Sequence, residues 1–206
     1  MSAHAAAEGE LSTEDKFGAS SNGKVGMWIF LISDAFSFFA AFLGYGMLRA
    51  GSTVWRHPGE PALAIPPAAG LTLILVASSV TMALALGAAV ANNRSRVSLF
   101  ILLTIVGGLL YLFFQVSEWQ SLSAEGLKFS QDNYANSFFL VTGFHAAHVV
   151  GGIVYLAIIL FRGMAGKYDG GDYHEVELAS LFWQFITLVG IFIFAFVYLI
   201  PAHVGA

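Results

Sequence analysis

The residues able to do chemistry are few. Asp34 is the most informative, because it stands about ten residues into an otherwise apolar run from Val25 to Leu48. A carboxylate at the centre of a bilayer costs roughly 2.5–3.5 kcal/mol on insertion scales. A partner, trapped water or a bound proton must compensate. Two readings stay open: a proton-linked or lipid-contacting carboxyl, or a protonated or hydrogen-bonded side chain that glues helices together. His145 and His148 are three apart and share one helix face. That spacing supplies two metal ligands, but the other histidines, His4, His57, His174 and His203, fall in tails or loops. Polar packing is therefore the favoured reading. Glu118 closes a third apolar run and is a natural partner for one of these histidines. Trp183, with Trp28, Trp55 and Trp119, falls near an expected span end, as interfacial anchors do.

These residues need elements to hold them. Five apolar stretches run from about 25 to 48, 66 to 91, 97 to 119, 135 to 161 and 176 to 200. A bilayer crossing takes about 20 mostly apolar residues. A membrane β-barrel would need segments of about 10 residues alternating apolar and polar, and these are twice as long and do not alternate. The expected fold is all-α, an integral membrane bundle of five transmembrane helices. Pro66 and Pro67 suit the start of the second helix, where a missing N–H costs least. Asn92 to Ser95 separate the second from the third. Gly163, Gly166, Gly170 and Gly171 separate the fourth from the fifth, and Pro201 ends it. Residues 1–23 read as a mobile acidic tail, with a candidate surface helix at Leu11 to Phe17 and a poor match to a signal peptide. Residues 24–206 form one domain.

Composition narrows the classes. Of 206 residues, 57% are hydrophobic and 11% charged, against about 25% charged in a soluble domain. Nine Lys and Arg against thirteen Asp and Glu leave no basic excess for nucleic acid. The absence of cysteine excludes disulfides, zinc–thiolate clusters and thiolate nucleophiles. No phosphate loop, nucleophile elbow or triad is recognisable. Counting positive charges near the spans, Lys16, Lys24, Arg94, Arg96, Arg162 and Lys167 fall on one side. Arg49, Arg56 and Lys128 fall on the other. This favours a cytoplasmic N-terminus and an external C-terminus. Small residues recur every four positions at Ser79, Ala83, Gly87 and Ala91, and again at Gly143, Ala147 and Gly151. Such stripes are expected to bring helix backbones close.

Ser137 to Gly152 reads S-F-F-L-V-T-G-F-H-A-A-H-V-V-G-G. This resembles the subunit III pattern of haem–copper oxidases, close to S-T-F-F-x-x-T-G-F-H-G-x-H-V-x-x-G. Other pieces follow in family order. Ile32-Ser33-Asp34 is similar to its Ser-Glu, with Asp for Glu. Ala77 to Thr81 is similar to its S-S-x-T, and Gln115 to Trp119 to its Q-x-x-E-[YW]. His174, Glu175 and Leu181 to Phe185 fall where the last helix begins. The resemblance spans roughly residues 24–200 and the short, five-helix form. The family's last helix usually reads W-H-F-x-D-x-x-W. Here Trp183 is kept, while Gln184, Thr187 and Gly190 replace the His, Asp and second Trp.

The resemblance implies a non-catalytic subunit of a proton-pumping terminal oxidase in a bacterial inner membrane, N-terminus cytoplasmic and C-terminus periplasmic. It would dock on subunit I and also meet subunit II. Subunit IV or a quinol-oxidising supercomplex partner are further candidates. This chain would bind no haem or copper, which belong to its partners, but would hold phospholipid and support proton uptake. Asp34, Glu118, His145, His148 and Trp183 are the residues expected to touch lipid, protons or subunits. Glu118 and His148 are expected to make a polar contact that ties the third and fourth helices together. Asp34 is expected near the lipid cleft or the face toward subunit I, and Asp34→Asn is expected to alter turnover-dependent stability or lipid content. The electron donor, cytochrome c or quinol, stays open. Two other readings are an accessory subunit of a nitric oxide reductase and a standalone proton or small-solute channel gated by Asp34.

Overall fold

The computed structural model describes residues 22–165 and 173–200. The expected tail helix at Leu11 to Phe17, Gly166, Gly170, Gly171 and Pro201 lie outside the described residues. Among the described residues, five helices are long and apolar enough to cross a membrane. They are α1 (Asn22–Gly51), α2 (Ile65–Val90), α3 (Arg94–Ala124), α4 (Asn133–Met164) and α5 (His174–Ile193), the last continued by a π-helical turn, Phe194–Leu199. Helix α2 packs most extensively on α3, α3 on α4, α4 on α5 and α5 back on α2. These four close a ring. Helix α1 lies outside it, against α4 and α5.

Sequence chemistry sets the ends. Pro66 and Pro67 open α2. At its other end Asn92 takes a positive φ of 52°, and the Asn93 N–H returns to the Ala88 carbonyl at 2.9 Å. The turn is closed within three residues, because Asn tolerates the left-handed region. The Asn93 side chain then caps α3 by accepting from the Arg96 N–H, and Asp132 caps α4 by accepting from the Ala135 N–H at 2.8 Å. Helix α3 continues past Trp119 to Ala124 and stops where Gly126 adopts φ 108°. Glu118 therefore lies inside a helix rather than at its end.

The ring's packing seam is a heptad. The buried positions of α3 include the run Val97, Ile101, Thr104, Gly108, Tyr111, Gln115 and Leu122, flanked by Ile105, and those of α5 include Val176, Ala179, Trp183, Ile186, Gly190 and Ile193, flanked by Ser180, Phe182, Thr187 and Val189. Helix α2 follows with Ala68, Leu71, Leu75, Ser78, Met82, Ala85 and Ala89, with Ser79 and Ala88 beside them. Alternating steps of three and four keep one face toward the neighbours, as in left-handed bundles. This corrects the expected small-residue stripes. Ala83, Gly87, Ala147 and Gly151 are exposed, and Gly143 is half-buried. A Cβ at Gly87, Gly143 or Gly151 would meet nothing within 4 Å. Steps of four rotate about 40° each around a 3.6-residue helix, so such a stripe winds off a 3.5-residue seam. The close approaches are elsewhere. A Cβ on Gly107 would come within 2.6 Å of Ser78 Cβ.

Outside the spans, the segment between α1 and α2 is fastened to the start of α4. The Tyr134 hydroxyl donates to the Pro61 carbonyl at 3.2 Å and Gln131 Nε2 to Glu60 Oε1 at 3.2 Å. The His57 N–H donates to Glu60 Oε2 at 2.7 Å. Burial and then the Asp132 carboxyl beside it hold Glu60 above its ordinary value of 4.5. Burial pushes Asp132 up as well, but the Glu60 carboxyl and the Ala135 and Tyr134 N–H groups outweigh it and hold Asp132 low. A raised group stabilises below its unfolded value and loses that contribution as pH rises through its folded one. A lowered group does the reverse: its contribution is present above its unfolded value and disappears as pH falls through its folded one. Hydrogen exchange at the Glu60 amide, which donates to the His57 carbonyl at 3.1 Å, is thus expected to accelerate as pH climbs above 4.5, beyond the intrinsic base-catalysed rise. Glu60→Gln should flatten the excess; an unchanged excess would show that Glu60 does not control the segment.

Candidate functional site

Two polar clusters sit within the helices, and α4 contributes a histidine to each. The first joins α1 to α4. His148 Nε2 lies 3.0 Å from Asp34 Oδ1, and both side chains are largely buried. His148 Nδ1 lies 2.8 Å from the Phe144 carbonyl. A carbonyl only accepts, so Nδ1 carries a hydrogen. Between Nε2 and the carboxyl there is then one proton, held by either partner: imidazolium with carboxylate, or neutral imidazole with carboxylic acid. Both forms are neutral overall, which is how a carboxyl is tolerated at this depth. Phe38 and Phe144 pack edge-on to His148, with ring centroids 5.0 and 4.6 Å away. The second carboxyl oxygen, Oδ2, is buried without a hydrogen-bond partner among the described residues. Asp34 stands on the buried seam of α1, with Leu31, Phe38 and Tyr45.

The second cluster lies inside the ring. His145 is fully buried. Its Nε2 meets the Ile186 carbonyl of α5 at 3.0 Å and its Nδ1 the Tyr111 hydroxyl of α3 at 3.1 Å. Tyr111 also reaches Gln115 Oε1 at 2.9 Å, and Gln115 Nε2 donates to Glu118 Oε2 at 3.0 Å. The Tyr198 hydroxyl donates to the same Glu118 oxygen at 2.9 Å. The π-helical turn makes this reach available: it turns the adjacent residues Val197 and Tyr198 both inward. Such turns often mark functional positions. Glu118 also lines a cleft of about 540 Å³ between α2 and α3, together with Leu71, Ile74, Phe114, Ser117 and Glu125.

The expected Glu118–His148 contact is overturned. Glu118 turns to Gln115 and Tyr198, and His148 to Asp34 and Phe144. Glu118 belongs to the last two turns of α3 and His148 to the middle of α4, and antiparallel helices put those levels apart. Trp183 is also not an interfacial anchor. It is 1% exposed, and its indole N–H donates to Ser78 Oγ on α2 at 3.1 Å. Its ring fills the space left by two glycines. A Cβ on Gly108 or Gly152 would come within 2.7 or 2.9 Å of it. Trp183 thus touches α2, α3 and α4 from α5. Among the other tryptophans, Trp28 is exposed and Trp119 Nε1 donates to Thr142 at 3.2 Å.

The positions that depart from the oxidase pattern all have structural work. Gln184 Nε2 donates to the Ser79 carbonyl at 3.0 Å. Thr187 turns its hydroxyl to the Trp183 carbonyl at 3.0 Å. Gly190 lets His145 and Leu75 approach; a Cβ there would lie 3.3 and 3.1 Å from them. The S-S-x-T piece becomes a cross-helix tether, with Thr81 and Thr104 hydroxyls 2.8 Å apart. Sequence reasoning missed Tyr111, although Tyr111, Gln115 and Glu118 at i, i+4 and i+7 form a readable polar stripe. It missed Tyr198 for want of any signal, since its direction depends on the π-helical turn. No group of three or more His, Cys, Asp or Glu side chains suited to a metal ion gathers among the described residues. The ring nitrogens of His145 and His148 are all engaged in the contacts above.

Comparison with known proteins places this arrangement. The family model described as cytochrome c oxidase subunit III matches residues 3–201. Cytochrome c oxidase subunit 3 of Corynebacterium diphtheriae is 32% identical over 179 residues, covering 85% of this chain and 87% of that protein. The protein of the same name from Alkalihalophilus pseudofirmus is 30% identical, covering 86% of each. The probable cytochrome c oxidase subunit 3 of Rickettsia prowazekii is 32% identical over 192 residues, covering 86% of this chain and 68% of its own length. With its five membrane-spanning helices and its match along nearly the whole chain, the protein belongs to the cytochrome c oxidase subunit III family.

Proposed function

We propose that this chain serves as the accessory, non-catalytic third subunit of a haem–copper terminal oxidase, stabilising subunit I and sustaining proton uptake. The family match across residues 3–201 carries this reading. Oxygen chemistry belongs to the partner subunits, which hold haem and copper. The chain's own polar groups hold helices and protons. The Asp34–His148 pair joins α1 to the ring with a single shared proton, which suits a group that exchanges protons near a partner without carrying net charge. Phospholipid is the ligand proposed for the 540 Å³ cleft. Its apolar wall of Leu71, Ile74 and Phe114 matches an acyl chain, and Ser117, Glu118 and Ser121 match the edge of a headgroup. Asp34 does not line that cleft. The membrane is proposed to be the bacterial inner membrane, with the end bearing Lys24, Arg94, Arg96 and Arg162 in the cytoplasm.

Purification of the tagged native protein in mild detergent tests the reading. Haem a or o bands in a reduced-minus-oxidised spectrum are expected, together with a large subunit I and a copper-bearing subunit II identified by mass spectrometry. Their presence would also name the electron donor. A nitric oxide reductase chain in their place would transfer the protein to that partner. A colourless preparation holding this chain alone, beside intact complexes in controls, would overturn the reading.

A further inference from the structure

The cluster around His145 contains a hydroxyl claimed twice. The Ile186 carbonyl only accepts, so His145 Nε2 carries a hydrogen. Tyr111 has one hydroxyl hydrogen, and two acceptors stand within reach, His145 Nδ1 at 3.1 Å and Gln115 Oε1 at 2.9 Å. Two arrangements resolve the competition with the same number of hydrogens. In one, His145 Nδ1–H donates to Tyr111, Tyr111 donates to Gln115, and Glu118 is a carboxylate receiving Gln115 and Tyr198. In the other, Tyr111 donates to a bare Nδ1, and the hydrogen that left the imidazole sits on Glu118. Gln115 Oε1 then lacks a donor. The two differ by one proton moved from His145 to Glu118. Gln115 itself is a poor carrier, since its amide would have to pass through an imidic acid.

A second route lies beside it. A cavity of about 20 Å³ opens at Gly190, lined by Thr72, Tyr111, Gln115 and Tyr198 among apolar neighbours. One water needs about 10–15 Å³ of such space and two to four polar partners. The volume suffices for one water, and Tyr111, Gln115 and Tyr198 are among the polar residues that line it. We propose that this cavity binds one water, which joins Tyr111 to Tyr198 and completes a proton-conducting chain from His145 to Glu118. The step balances atom by atom. His145 Nδ1 gives its proton to Tyr111 Oη, Tyr111 gives its own to the water, the water gives one to Tyr198 Oη, and Tyr198 gives its own to Glu118 Oε2. The two hydroxyls and the water end with the hydrogens they began with, the imidazole is neutral and Glu118 is a carboxylic acid. When the proton stays on Glu118, the water donates to the vacated Gln115 Oε1. Glu118 faces the 540 Å³ cleft, so the chain connects a fully buried imidazole with the surface of the subunit. It stands independently of which complex the chain joins.

The test is deuterium exchange at the His145 Nδ1–H, the end of the chain, read by solid-state NMR on the intact complex labelled with ¹⁵N-histidine; the Nε2–H, held by the Ile186 carbonyl, lies off the chain. The signal is assigned by its loss in His145→Asn. Exchange is expected in the wild type. Ala68→Val fills the cavity from the α2 wall and should slow exchange at least about tenfold, the effect of 1.4 kcal/mol on a barrier. Ala68→Gly, which leaves the cavity open, should match the wild type. Tyr198→Phe removes the last link and should slow exchange equally, which keeps the test valid should Ala68→Val fail to assemble. Protection of the His145 Nδ1–H in the wild type would overturn the proposal. So would equal exchange rates in the wild type and in whichever blocking variant assembles.

Discussion

Replacing Trp183 with alanine is expected to lower the stability of the bundle by about 3–5 kcal/mol, the range for truncating a buried tryptophan. The reason is the ring's position. It is 1% exposed and sits against two glycines, Gly108 of α3 and Gly152 of α4, close enough that a Cβ on either would collide with it. Helix backbones cannot close over the void, so the lost contacts are lost outright. In lipid this matters more than in water, because association rests on packing rather than on expulsion from solvent. The indole N–H to Ser78 Oγ adds about 1 kcal/mol. Trp183→Phe, which keeps much of the ring and drops the hydrogen bond, should cost clearly less than Trp183→Ala. Thermal unfolding of the variants in one detergent decides the matter. A Trp183→Ala loss below about 1 kcal/mol would show that the four helices are held elsewhere.

The second large effect is expected at the α1 junction. His148→Leu leaves Asp34 without its partner, and breaking a buried pair from one side costs about 3–5 kcal/mol. Asp34→Asn should behave differently. A single hydrogen lies between residue 34 and Nε2, and an asparagine N–H supplies it to a neutral imidazole whose Nδ1–H still serves the Phe144 carbonyl. Its stability at rest should stay within about 1 kcal/mol of the wild type. The double change Asp34→Leu with His148→Leu should recover most of the single-variant loss, since an apolar pair of similar volume replaces a buried ionic one at little cost. If His148→Leu and the double variant lose equally, packing of the imidazole against Phe38 and Phe144 is the controlling term. The retained fold of Asp34→Asn makes it the clean probe of proton function. A fall in turnover lifetime with unchanged resting stability would separate the two roles.

How much of this was legible in advance depends on the residue. The five spans follow from length and apolarity alone, and the Asn92 break and the Pro66-Pro67 start follow from backbone chemistry. Which face of each span points inward does not follow, because lipid-facing and core-facing positions are equally apolar. Phe36 and Phe38 are both phenylalanines two residues apart, yet one is 69% exposed and the other 2%. That is why the four-residue stripes of small residues pointed to the wrong faces. Asp34 announced that it needed a partner without naming it. The partner lies 114 positions away, and only the docking of α1 on α4 selects His148 over His145. Glu118 was paired incorrectly because chain proximity to a connection says nothing about depth in the membrane. The place of Trp183 in the sequence suggests an anchor, whereas the glycines that accept its ring lie on two other helices.

The placement of α1 outside the ring has a consequence for synthesis. Helix α1 emerges from the ribosome before α4 and α5, on which it has its main docking surfaces. Helices α2 and α3, joined by a three-residue turn, pair as soon as both are inserted, while α1 waits in the bilayer with Asp34 unmatched. Its insertion cost is relieved late, when His148 arrives. Truncation after α3 should therefore leave a nascent chain with a mature hairpin and a loose leading helix, a form that quality-control proteases acting within the membrane would recognise by its unpaired carboxyl.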